Sequence, residues 1–124
     1  MNNNTCRLWI DAPGTVEAIQ AALVAGIEDR FTGLGIACDL DRNGGFDPGG
    51  KDGTDFIASS PWTAWLETAC TDRPAVEAFQ AGVCSLIASL RRQGFSVTAA
   101  CDFEDRVIAA TGWNWTSDQP LPPR

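Results

Sequence analysis

The 124-residue chain has no histidine and no tyrosine, a single methionine, and no apolar run approaching the ~20 residues of a membrane-spanning helix. Without histidine, the commonest general base, metal ligand and pH switch is missing. Ser–His and Cys–His nucleophile pairs cannot be assembled within the chain. Positive charge is also scarce: 9 basic residues face 16 acidic ones, for a formal charge of −7. Nucleic-acid affinity rests on Lys and Arg, so no nucleic-acid partner is expected, and a basic partner is favoured instead. The start, Met1-Asn2-Asn3-Asn4-Thr5-Cys6, has neither a basic cluster nor an apolar stretch. No secretory signal and no membrane association are therefore expected, and a cytoplasmic location is the default. Neither an enzyme nor a cofactor is expected.

Cysteine is present without a pattern. Cys6, Cys38, Cys70, Cys84 and Cys101 are odd in number and scattered, with no CxxC or zinc spacing. They read as small buried apolar residues in a reducing compartment.

With 44% hydrophobic and 20% charged residues, the chain can build one packed domain. Its most informative feature is self-similarity. Trp9-Ile10-Asp11 is answered by Trp65-Leu66-Glu67, and Val16-Glu17-Ala18-Ile19-Gln20-Ala21 by Val76-Glu77-Ala78-Phe79-Gln80-Ala81. Ala37-Cys38-Asp39-Leu40 is answered by Ala100-Cys101-Asp102-Phe103. The three matches fall in one order.

Each half reads as strand, helix, strand. Residues 6–11 form a first strand, and Thr15 caps a helix with Val16, Ile19, Leu23 and Ile27 on one face. Leu34 to Leu40 form the second strand, and Trp62 to Ala69 the third. Asp72 caps the strongest helix, with Pro74 in its first turn and Val76, Phe79, Val83, Ile87 and Leu90 on one face. Alternation from Phe95 to Phe103 gives the fourth strand, and Glu104 to Thr111 a short helix.

Two such units in tandem predict an α+β, ferredoxin-like βαββαβ fold. Its antiparallel four-stranded sheet would carry two helices on one face and have strand order 4-1-3-2. The expected domain runs over 1–124: repeat 1 at about 6–40, an acidic Gly/Asp loop at 41–55, repeat 2 at about 56–103, and an extension at 104–124. Asp11 and Asp39 are expected at one end of the sheet, two strands apart at roughly 9–10 Å. That is too far for a shared-proton pair.

The loop after the second strand is dense in glycine and aspartate. Asp39, Asp41, Asn43, Gly44 and Asp47 stand at the first, third, fifth, sixth and ninth positions of an EF-hand loop. The twelfth position, a bidentate glutamate in that loop, is Gly50, and Pro48 follows the ninth. The segment therefore reads as a long acidic hairpin loop, with no metal expected. Asp41, Asp47, Asp52 and Asp55 are the carboxylates placed to pair with Arg and Lys of a partner. Tryptophan supplies the apolar complement. Trp62 and Trp65 differ by an odd number and fall on opposite faces of a strand, while Trp113 and Trp115 share a face if extended. Trp113 and Trp115 are the candidate anchors.

The acidic loop Asp39–Asp55, the tail Gly112-Trp113-Asn114-Trp115 and the lack of histidine give a profile with known counterparts. The chain resembles, over its whole length and at the level of class, the immunity proteins of bacterial polymorphic and contact-dependent toxin systems. That resemblance implies a protein-binding inhibitor that neutralises a cognate toxin by blocking a basic or substrate-binding surface. The alternative is a small-molecule-binding or regulatory ferredoxin-like domain that homodimerises through its sheet edges. An enzyme using Asp or Cys ranks third, because no constellation supports it.

Overall fold

The first strand, β1 (Thr5–Asp11), alternates buried and part-exposed positions along most of its length and runs through the middle of the sheet. In a computed structural model, residues 3–12, 14–31, 33–47 and 56–115 are described. After β1 come α1 (Val16–Arg30), β2 (Ile36–Arg42), β3 (Trp62–Thr68), α2 (Arg73–Arg92), β4 (Ser96–Ala100) and α3 (Glu104–Thr111). The sheet is antiparallel throughout, in the order β4-β1-β3-β2. That is the order expected from the repeat, and the described residues form an α+β arrangement of four strands and three helices.

Local chemistry sets the helix ends. The Thr15 hydroxyl accepts from the Ala18 backbone N–H at 3.2 Å, and the Asp72 carboxylate accepts from the Ala75 N–H at 3.3 Å. At the far end of α2, the Phe95 N–H donates to the Leu90 carbonyl and the Gly94 N–H to the Arg91 carbonyl. This paired closure needs the left-handed φ of +92° that Gly94 supplies.

One layer of side chains joins the helices to the sheet. Cys6, Leu8 and Ile10 of β1, Ala64 and Leu66 of β3, and Val97 and Ala99 of β4 meet Ile19 and Leu23 of α1. Phe79, Val83, Leu86, Ile87 and Leu90 of α2 and Val107 of α3 complete the core. Ile19 and Phe79, equivalent positions of the repeat, are both fully buried. Each of the two long helices brings a glycine to their contact. A Cβ at Gly26 would fall 2.4 Å from Leu86, and one at Gly82 would fall 2.4 Å from the Phe31 ring. Both glycines therefore set the helix spacing, which outweighs their cost of about 1 kcal/mol each in a helix interior.

Three expectations need correction. Asp41 and Arg42, expected in the loop, are the last residues of β2, because their pairing with Thr63 and Trp62 continues the ladder. β4 is shorter than Phe95–Phe103: the Phe95 N–H closes the helix, and the Cys101 N–H turns to the Glu104 carboxylate. Asp39 is not level with Asp11. The register sets Asp39 opposite Trp65, which itself faces Arg7, whereas Asp11 pairs with Ser96 at the sheet's end.

Candidate functional site

Strand alternation turns a second set of side chains away from the helices. The pairing register lays them out in rows across the sheet. Asp41, Thr63, Trp9 and Thr98 form one row, and Asp39, Trp65, Arg7 and Ala100 the next. Ala37, Glu67 and Thr5 form a third. Both tryptophans of the repeated Trp-Ile/Leu-acid segments thus share this face, and Trp62, at odd spacing from Trp65, lies on the other.

Arg7 sits between the two indoles. Its guanidinium carbon is 5.9 Å from the Trp9 ring centroid and 5.3 Å from that of Trp65, and Nη1 donates to the Thr63 hydroxyl at 3.4 Å. Cation–π attraction to each ring holds the three side chains as one layer. The Trp9 indole Nε1 is buried and has no hydrogen-bond partner. An unmatched donor of this kind is uncommon in a folded chain.

Around that layer lie carboxylates. Asp11, Asp39, Asp41 and Glu67 are all exposed. The ion pairs among the described residues, Arg30–Asp29 and Arg73–Glu77, use none of them. Directly behind this acidic strand, burial and the neighbouring Asp39 charge push the Cys38 thiol up from its ordinary pKa.

The acidic loop starts from a fastened base. Asn43 donates through Nδ2 to the carbonyls of Ile57 at 2.9 Å and Ser60 at 2.8 Å, and its Oδ1 accepts from the Gly45 N–H at 3.0 Å. The Asp47 N–H donates to the Ala58 carbonyl at 2.7 Å. Asp41 and Asp47 are exposed, whereas Asp52 and Asp55 lie outside the described residues, as does Gly50. Among the described residues, no group of three or more acidic or cysteine side chains is arranged to hold a metal ion.

The C-terminal segment closes the opposite edge. The Asn114 side chain, 2% exposed, accepts from the Ala99 N–H at 2.8 Å and the Thr98 hydroxyl at 3.0 Å. It donates to the Ala99 carbonyl at 3.0 Å and to the Glu104 carboxylate at 3.3 Å. A side-chain amide thus takes the place that another strand would fill. The half-buried Arg91 donates to the carbonyls of Val97 and Trp113 and to the Thr111 hydroxyl, at 2.9–3.3 Å. Desolvation lowers its pKa.

Trp113 and Trp115, expected as exposed anchors, have different roles here. Trp113 is buried at 5% exposure: it packs edge-on to Phe56 at 5.4 Å and under Arg91 at 5.1 Å, beside a cavity of about 300 Å³. The Trp113 indole is therefore not bare. Trp115 is half-buried, its backbone N–H donating to the Thr98 hydroxyl at 2.9 Å.

Sequence reasoning passed over Arg7, whose alternation with Trp9 was the available signal, and Asn114, whose place between two tryptophans was the other. Comparisons with protein-family models, with curated proteins and with solved structures find nothing that matches this chain.

Proposed function

We propose that this chain is a protein-binding inhibitor of the toxin-immunity kind, acting in the cytoplasm by covering a basic or substrate-binding surface of its partner. The observation that carries this reading is the sheet face turned away from the core, where four exposed carboxylates without ion-pair partners among the described residues border an indole–guanidinium–indole layer. Carboxylates so placed steer a cationic surface toward the face and fix its register, while the rings exclude water from the contact. Asp47 extends the acidic strip from β2 into the loop. An acceptor from the partner reaching Trp9 Nε1 would satisfy a buried donor that is unmatched among the described residues. In the same reading the βαββαβ path and its strand order form a ferredoxin-like domain, which α3 and the segment after it extend.

The test is to purify the tagged chain from its native host at low and raised salt, then measure association of the recovered partner with the triple variant Asp39→Asn, Asp41→Asn, Glu67→Gln. The expected result is a stoichiometric basic protein whose association slows by about tenfold at low salt in the variant and loses most of its salt dependence. An unchanged rate and salt slope would remove the acidic face from the mechanism.

The open β2 edge favours a second reading, a homodimerising regulatory domain. β3 turns the backbone groups of Thr63, Trp65 and Glu67 toward β2, so Ile36, Cys38 and Leu40 point theirs outward, with no partner for them among the described residues. Sedimentation of the purified chain separates the two: a dimer without a second protein supports this reading, and a monomer that binds a basic partner supports the first.

A further inference from the structure

Three of the five cysteines converge where β1 begins and β4 ends. Cys6 lies on β1, Cys101 one residue past β4 and Cys84 on α2; Cys6 and Cys84 belong to the core, and Cys101 packs against it. All are free thiols.

The register singles out two of them. β1 and β4 pair Arg7 with Ala100 and Leu8 with Ala99, so carrying that register one step past the end of β4 sets Cys6 opposite Cys101. The hydrogen bonds say which kind of step this is. The Ala99 N–H and carbonyl point outward to Asn114, the Val97 carbonyl to Arg91 and the Cys101 N–H to Glu104. The odd-numbered residues of β4 therefore make no ladder bonds to β1, and Cys6 opposite Cys101 is a non-hydrogen-bonded pair. At such pairs facing Cα atoms stand about 4.5 Å apart, within the span that a disulfide bridges. Both side chains turn to the helix side, where Cys6 lies in the core and Cys101 packs against it, and the Cys6 S–H donates to the Arg7 carbonyl at 3.7 Å.

The two thiols differ in surroundings. Cys6 is 1% exposed, whereas Cys101 is partly exposed. The neighbouring Cys6 thiol, and after it the Phe103 backbone, lowers the Cys101 pKa against the opposing pull of burial and of Glu104 and Asp102. Cys84 is buried and its thiol is pushed up by desolvation.

We propose that Cys101 is a hydroperoxide-reactive thiol and that Cys6 resolves it, closing a Cys6–Cys101 disulfide that ties β1 to the end of β4. The Cys101 thiolate attacks the peroxide oxygen, the O–O bond breaks, and the departing alkoxide or hydroxide takes a proton, leaving Cys101 as a sulfenic acid. The Cys6 sulfur then attacks the Cys101 sulfur. The S–O bond breaks, and the hydroxide leaves as water with the Cys6 proton. Two thiols are oxidised to one disulfide, and the hydroperoxide is reduced by two electrons, to two waters when it is hydrogen peroxide.

The test treats the reduced full-length protein with hydrogen peroxide, blocks remaining thiols and maps the linked peptides by mass spectrometry without reductant. The expected map is one dominant Cys6–Cys101 link that dithiothreitol reverses. Cys101 should be consumed at least about tenfold faster than Cys70, which is partly exposed but has no facing thiol. In Cys6→Ser the Cys101 sulfenic acid should persist and be trapped by dimedone. A dominant link between any other pair, or consumption of Cys70 ahead of Cys101 in the unaltered protein, would overturn the proposal. Because the map is read on the unaltered chain, the outcome does not depend on how well any variant folds.

Discussion

At the β4 edge, outward backbone groups are met by side chains: Arg91 on Val97, Asn114 on Ala99 and Glu104 on Cys101. At the β2 edge, Ile36, Cys38 and Leu40 direct the same kinds of group outward, and no described residue meets them. Both are edge strands of one sheet, and each follows the helix of its half of the chain. The difference lies in the path the chain takes on leaving each strand. After β4 it makes α3 and returns along the edge, whereas after β2 it departs through the acidic loop. Closure is thus a property of the added segment and not of the strand. The open edge carries the exposed carboxylates Asp39 and Asp41, a common way to keep an unpaired strand from indiscriminate association.

Hydrogen exchange should show the contrast at its largest. The Ala99 amide should exchange only through global opening, and those of Cys38 and Leu40 through local exposure. A protection ratio of at least about a thousandfold is expected by NMR. Equal protection at both edges would mean that something covers β2 in solution.

Asn114→Ala should break the closed edge. It removes four hydrogen bonds and strands the buried Ala99 pair, so denaturant unfolding should show a loss of about 2–4 kcal/mol. Arg91→Lys is the milder version. A single ammonium cannot span the Val97 and Trp113 carbonyls and the Thr111 hydroxyl together, and the loss should be about 1–2 kcal/mol, read from the same denaturant midpoint. A variant as stable as the parent would make that bridge ornamental.

Much of the fold was legible in the sequence because the repeat carries it. The matched Val-Glu-Ala segments are helices whose Ile19 and Phe79 occupy equivalent buried places, and the paired strands fall in the expected order. The strand ends were not legible. Asp41 and Arg42 look like loop residues, yet pairing to Thr63 and Trp62 overrides composition at an edge where side chains can stay in water. The candidate site was half visible. Asp41 and Asp47, named from the sequence as partner contacts, are exposed, whereas Trp113, named as an anchor, packs against Phe56 and Arg91. Spacing shows that two tryptophans share a face and says nothing of what lies over that face. Asn114 was silent for a related reason: its role depends on a long-range meeting with Ala99 that no local pattern encodes.

A sheet with one sealed edge has a valence of one. Two copies joined edge to edge through β2 would form a continuous eight-stranded sheet with β4 at each outer end, and no strand would be left to recruit a third. The amide of Asn114 is then a chain terminator in the polymer chemist's sense, capping strand-on-strand growth at the dimer.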